Sequence, residues 1–137
     1  MRVSEGMSSV VLTVGPKHTL REAARQMAKR EVGAAVVIDP EEPGPGIFTE
    51  RDLLIALGKG QDPDQECVCD HLSQNLTFAA PDWSLERAAE EMVRGGFRHL
   101  VVVDGGEIAG VLSMRDIVRC WTEAGSTTPV ETARARA

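Results

Sequence analysis

At 137 residues, 42% hydrophobic and 26% charged, the chain is long enough to bury a continuous core without disulfide staples. A net charge of −6, with no basic cluster longer than two residues in the body, excludes nucleic acid as a main partner, because neutralising phosphates needs a concentrated basic face. No stretch approaches the roughly 18 apolar residues of a bilayer span, and MRVSEGMSSV lacks a signal-peptide pattern, so no membrane is expected and a cytoplasmic address follows.

The chain opens with a lead-in, VSEGMS (3–8), before a short apolar strand, VVLTV (10–14), and a proline-marked turn. A helix follows, apolar at Leu20, Ala23, Ala24 and Met27, the spacing of one buried face. Thr19 and Glu22 form a capping box at its start. AAVVI (34–38) is a continuous aliphatic run, as fully buried strands are. PEEPGPG (40–46) leads into the next strand, and Pro43 and Pro45 put the beginning of that strand at an edge or outside the sheet. A helix after Thr49 is expected to bury Leu53, Leu54 and Leu57, and GKGQDPDQE (58–66) is rich in turn residues.

The same elements then recur. VCDHLS (68–73) repeats the lead-in and LTFA (76–79) the first strand. Ser84 stands where an N-cap belongs, ahead of a helix apolar at Leu85, Ala88, Ala89 and Met92. LVVV (100–103) is a second buried strand, and Asp104-Gly105-Gly106 is a strong hairpin signal leading into EIAGVLS. The last helix, after Ser113, is expected to bury Ile117, Val118 and Trp121.

Residues 16–39 align without a gap on 81–104, each 65 positions from its partner: Pro16 on Pro81, Leu20 on Leu85, Met27 on Met92, Asp39 on Asp104. The reading is therefore an α+β fold of two tandem β-α-β-β-α repeats. Repeat 1 covers 1–60, a linker 61–66, repeat 2 covers 67–122, and 123–137 form a tail expected to be disordered. Neither repeat is expected to bury its apolar face alone.

Both repeats close on one motif, GIFTERD (46–52) and GVLSMRD (110–116): Gly, two apolar residues, a hydroxyl, two variable residues, Asp. A hydroxyl followed three residues later by an acid is a capping-box pattern that needs no ligand. Three features favour a ligand. The acid is Asp in both copies, although capping boxes prefer Glu or Gln. A strand glycine is costly unless something approaches the backbone closely. A strand-to-helix junction also presents N–H groups and a dipole that favour an anion. The hydroxyl can donate to phosphate, the Asp can accept both hydroxyls of a ribose, and the apolar residues can border a purine.

Other chemistry is less well supported. Three cysteines without a secretory signal read as free thiols. Cys67, Cys69 and His71 alternate, but zinc prefers four ligands, usually with wider cysteine spacing, so no metal is assigned. No spacing pairs a nucleophile with a base and there is no P-loop, so neither a catalytic residue nor an enzyme activity is expected. Three Phe, two Trp and no Tyr are too few for a base-stacking platform.

The doubled pattern, with GIFTERDLL in one copy and FRHLVVVD followed by GVLSMRDIV in the other, resembles a tandem pair of CBS domains over about residues 1–122. The resemblance implies a pair packed with pseudo-two-fold symmetry around two clefts, and association into homodimers. It implies a regulatory module, with no cofactor required, that binds an adenosine-type nucleotide (AMP, ADP or ATP, in some members S-adenosylmethionine or NAD) and signals occupancy to an effector protein. Carried over by residue, Asp52 and Asp116 would hold ribose, and Thr49 and Ser113 would reach phosphate. Ile47, Phe48, Val111 and Leu112 would border the base, with Thr13 and Val14 beside them. Arg98 and His99 match a phosphate-touching basic pair; the first repeat has Gly33 and Ala34 there, which favours the second cleft for a phosphorylated ligand. The alternative is a constitutive dimerisation or scaffold protein whose clefts are vestigial.

Overall fold

The structure, a computed structural model, describes residues 1–73 and 76–124. Two compact units are present: Val10–Leu76, and Met1–Ser9 joined with the described residues from Thr77 onward.

In the Val10–Leu76 unit, β1 (Thr13–Val14) runs parallel to β2 (Ala34–Val37), and β3 (Gly46–Thr49) runs antiparallel to β2 on its other side. The strand expected over 10–14 is cut to two residues, which pair with the last two residues of β2. β2 is buried along its whole length, as its aliphatic run requires. β3 begins directly after Pro45 and is an edge strand, so neither proline has to donate to the ladder. α2 (Leu20–Arg30) carries Leu20, Ala23 and Met27 into the core with Val14, Val37 and Phe48. Thr19 Oγ1 accepts the Glu22 N–H at 3.2 Å, closing the expected capping box. The helix ends on Glu31 in the left-handed region, φ 56°. α3 (Glu50–Gly58) completes the unit.

The other unit repeats the plan. β4 (Phe78–Ala79), β5 (His99–Asp104) and β6 (Glu107–Ser113) form a second sheet in the same order and directions. Gly105 and Gly106, φ 60° and 84°, make the two-residue turn that Asp-Gly-Gly announced. α4 (Leu85–Gly95) is capped by Ser84 and ends on left-handed Gly96, the counterpart of Glu31. α5 (Met114–Ala124) closes the described chain; of the tail expected to be disordered, residues 125–137 lie outside the described residues.

One sequence expectation is corrected. α3 buries Ala56 and half-buries Leu53, and α5 buries Ile117 and Cys120. Leu54 (70% exposed), Leu57, Val118 (52%) and Trp121 lie outside the cores. Positions 53 and 56, like 117 and 120, share one i, i+3 stripe; their apolar neighbours fall about 100° around the helix on the next.

The lead-ins are exchanged. α1 (Val3–Gly6) belongs to the second repeat's unit: Val3 N–H donates to Trp83 O (2.7 Å), Ser4 N–H to Pro81 O (2.9 Å), and Leu85 N–H to Met1 O (3.0 Å). The 3-10 turn Val68–Asp70 docks on the first repeat through the equivalent bonds: Val68 N–H to His18 O (2.8 Å), Cys69 N–H to Pro16 O (3.1 Å), Leu20 N–H to Glu66 O (3.0 Å). Val3 and Val68 are completely buried in the two cores. Each unit is thus one repeat's body closed by the other repeat's lead-in.

Candidate functional site

Each motif sits where an edge strand turns into a helix. In the first, Thr49 is both the last residue of β3 and the N-cap of α3. Its N–H donates to Asp52 Oδ2 at 2.8 Å, its hydroxyl donates to the same oxygen at 2.9 Å, and its Oγ1 accepts the Asp52 N–H at 3.3 Å. Ser73, from the docked lead-in, adds a third donor to Asp52 Oδ2 at 2.6 Å. In the second motif the Ser113 N–H donates to Asp116 Oδ2 at 2.8 Å, and Ser113 Oγ accepts the Asp116 N–H at 3.0 Å. Arg119 lies 3.5 Å from Asp116 Oδ1 and donates to Gly6 O at 3.1 Å.

The three features that favoured a ligand therefore have partners within the chain. Asp is long enough to close both capping boxes, so its preference over Glu does not argue against capping. The first helical N–H groups are engaged: Glu50 N–H donates to Gly33 O at 2.9 Å and Met114 N–H to Arg98 O at 2.8 Å. The glycines are explained by the lead-ins. A Cβ on Gly110 would stand 2.5 Å from Ser8 O and 2.8 Å from Met7 Sδ, and one on Gly46 would stand 2.7 Å from Leu72 Cδ1.

Strand alternation sorts the remaining candidates. On the second sheet His99 pairs with Ser113 and Val101 with Val111, so His99, Val111 and Ser113 share the face turned away from the helical core. Exposed Arg98 adjoins them, and the structure brings these four together at one end of the sheet. Leu112 points the other way and is buried in the core, as are Phe48 and Val14 in the first unit. Ile47, Thr49 and exposed Thr13 lie on the first sheet's opposite face, where Ala34 pairs with Thr49 in place of a basic residue.

Comparison with known proteins places this architecture. The CBS domain family model matches residues 3–59 and again 68–123. The chain belongs to the CBS-domain family. It is 33% identical over 111 residues to an uncharacterised protein of Methanopyrus kandleri (80% of this chain, 57% of that one). It is 35% identical over 117 residues to an Arabidopsis thaliana CBS domain-containing protein, of which it spans only 20%. Among solved structures, a CBS-domain protein from Agrobacterium tumefaciens superposes with a TM-score of 0.78 at 33% identity, covering 86% of this chain and 91% of that one. A CBS domain protein from Pyrobaculum aerophilum, solved in complex with AMP, gives 0.76 at 30% identity over the whole of both chains.

The fold is thus a tandem CBS pair with two three-stranded sheets, and such pairs are in general regulatory nucleotide-binding modules. Ser73 was missed as a motif residue of the first CBS repeat. Its signal was in the sequence: the lead-ins VSEGMS and VCDHLS both end in serine, and a lead-in docked beside β3 brings that serine to the motif. The cysteines stand apart from the motifs. Burial pushes the Cys69 thiol above its usual range, and His71 Nε2 is 2.9 Å from Glu66 Oε1. Among the described residues no group of three or more metal-ligating side chains converges, and no helix is long and apolar enough to cross a membrane.

Proposed function

We propose that the protein is a sensor of an adenosine-type nucleotide, AMP, ADP or ATP, that binds at the second CBS motif and reports occupancy to a partner. The observation that carries this reading is the state of Ser113 and Asp116. Among the described residues the Ser113 hydroxyl accepts from Asp116 N–H but gives its own proton to no protein group, and Asp116 Oδ2 accepts only one bond. A free hydroxyl donor and an undersubscribed carboxylate, with Arg98 and His99 at the same end of the sheet, suit a phosphate and a ribose diol. The AMP complex of the Pyrobaculum aerophilum relative supports the ligand class. Occupancy would act by population shift, through differential affinity for two arrangements of the chain.

Calorimetric titration with AMP, ADP and ATP tests the reading. Asp116→Ala should weaken binding by about 1.5–3 kcal/mol, the worth of hydrogen bonds to a charged group. Affinity unchanged in that variant would overturn the assignment.

A second reading, a constitutive dimerisation or scaffold protein with vestigial sites, is favoured by the capping bonds, which account for both motif acids without a ligand. Thermal stability unmoved across a panel of adenosine nucleotides, S-adenosylmethionine and NAD would support it over the first.

A further inference from the structure

The two motifs differ in what their hydroxyl and carboxylate are already bonded to. Asp52 Oδ2 receives Thr49 N–H, the Thr49 hydroxyl and the Ser73 hydroxyl at 2.8, 2.9 and 2.6 Å. A carboxylate oxygen offers about two lone-pair sites, so three donors oversubscribe it. Gripping a cis-diol with one hydroxyl on each oxygen needs both oxygens open, and here only Oδ1 is left. The Thr49 hydroxyl has spent its single proton on Asp52 and has none for a phosphate. In the second motif the matching Asp116 oxygen carries one donor and the Ser113 proton is uncommitted among the described residues.

We infer that Ser73 is a positioning residue that holds the first motif closed to a ribose diol by occupying Asp52, so that each chain takes one adenosine ligand, at the second motif. The control acts through the lead-in. Ser73 N–H donates to Ile47 O at 2.9 Å, which fixes the serine beside β3, and the backbone next to it carries Leu72, packed against Gly46. Ser73 touches no ligand itself; it sets how many acceptor sites Asp52 can offer. This inference rests on the nucleotide reading of the second motif.

The test is calorimetry of the full chain with AMP and with adenosine, in wild type, Ser73→Ala, Asp116→Ala and the double variant. Wild type should bind one equivalent of AMP, weakened by about tenfold or more in Asp116→Ala. In the Asp116→Ala background, Ser73→Ala should strengthen AMP binding at the first motif by about tenfold or more, the worth of one hydrogen bond to a charged group. With Ser73 gone the Thr49 hydroxyl can turn off Oδ2 and leave it only the Thr49 N–H, the state of Asp116 Oδ2, and its freed proton can reach a phosphate, so AMP should bind the opened site more tightly than adenosine. Ser73→Thr restores the donor and should return the background variant to its weak binding. Ser73→Cys, close in size and a poor donor, should behave as Ser73→Ala and serves if the alanine variant unfolds. Two equivalents in wild type, or no gain in either Ser73 variant, would overturn the inference and leave the second motif standing. No adenosine ligand bound by wild type or any variant would overturn both.

Discussion

At the scale of single residues, the two repeats are a comparison that the chain performs on itself. Glu31 and Gly96 occupy the same left-handed position at the ends of α2 and α4, and only one of them is glycine. A residue with a Cβ pays about 1 kcal/mol or more for that conformation. Glu31→Gly should therefore raise stability by about 1 kcal/mol, read as a higher denaturation midpoint, while Gly96→Ala should lower it by a similar amount. The motif acids are a second such pair. Asp52 and Asp116 both follow an arginine and make the same capping bond, yet Asp52 also accepts one hydroxyl donor from Thr49 and one from the lead-in Ser73. Identity of motif is not identity of acceptor capacity.

At the scale of elements, the lead-ins decide what the motif glycines can tolerate. At Gly110 an added Cβ meets the carbonyl oxygen of Ser8, a residue whose backbone is held by two bonds, Ser8 N–H to Val111 O at 2.9 Å and Val111 N–H to Ser8 O at 3.0 Å. At Gly46 it meets the tip of Leu72, a side chain that can rotate. Gly110→Ala should cost about 1–3 kcal/mol and Gly46→Ala clearly less, compared by chemical denaturation; equal losses would contradict this account. Much of this architecture was legible in the sequence. The 65-residue offset, the caps at Thr19 and Ser84, and the Asp-Gly-Gly turn each specify local geometry, and local geometry is what periodicity and turn chemistry report. What stayed hidden was tertiary. No local pattern says that Val3 docks on Trp83, or that Leu54 stays outside the core while Ala56 enters it, because apolar residues on adjacent stripes of a short helix look equally fit for burial. The glycines show the same limit: the sequence called for a close approach to the backbone but not for the approaching group, which is the chain's own lead-in.

At the scale of the whole molecule, α3 and α5 each leave an apolar pair exposed at equivalent positions, Leu54 with Leu57 and Val118 with Trp121. Exposed apolar stripes of this kind mark interaction surfaces, and we propose that they pair two copies of the chain into the homodimer that the resemblance implies. Trp121→Glu combined with Leu54→Glu should convert a dimer to a monomer in light scattering without loss of secondary structure, and a dimer surviving both changes would remove these helices from the interface. The exchanged lead-ins carry one more consequence. Residues 1–9 are covalently continuous with the first repeat but are bonded into the second, through Met1, Val3, Ser4 and Gly6. Any pull, twist or steric load applied at the N-terminus therefore enters residues 77–124 before it reaches residues 10–60. A polypeptide fused ahead of residue 1 is mechanically wired to the repeat that carries Ser113 and Asp116, not to the one it precedes.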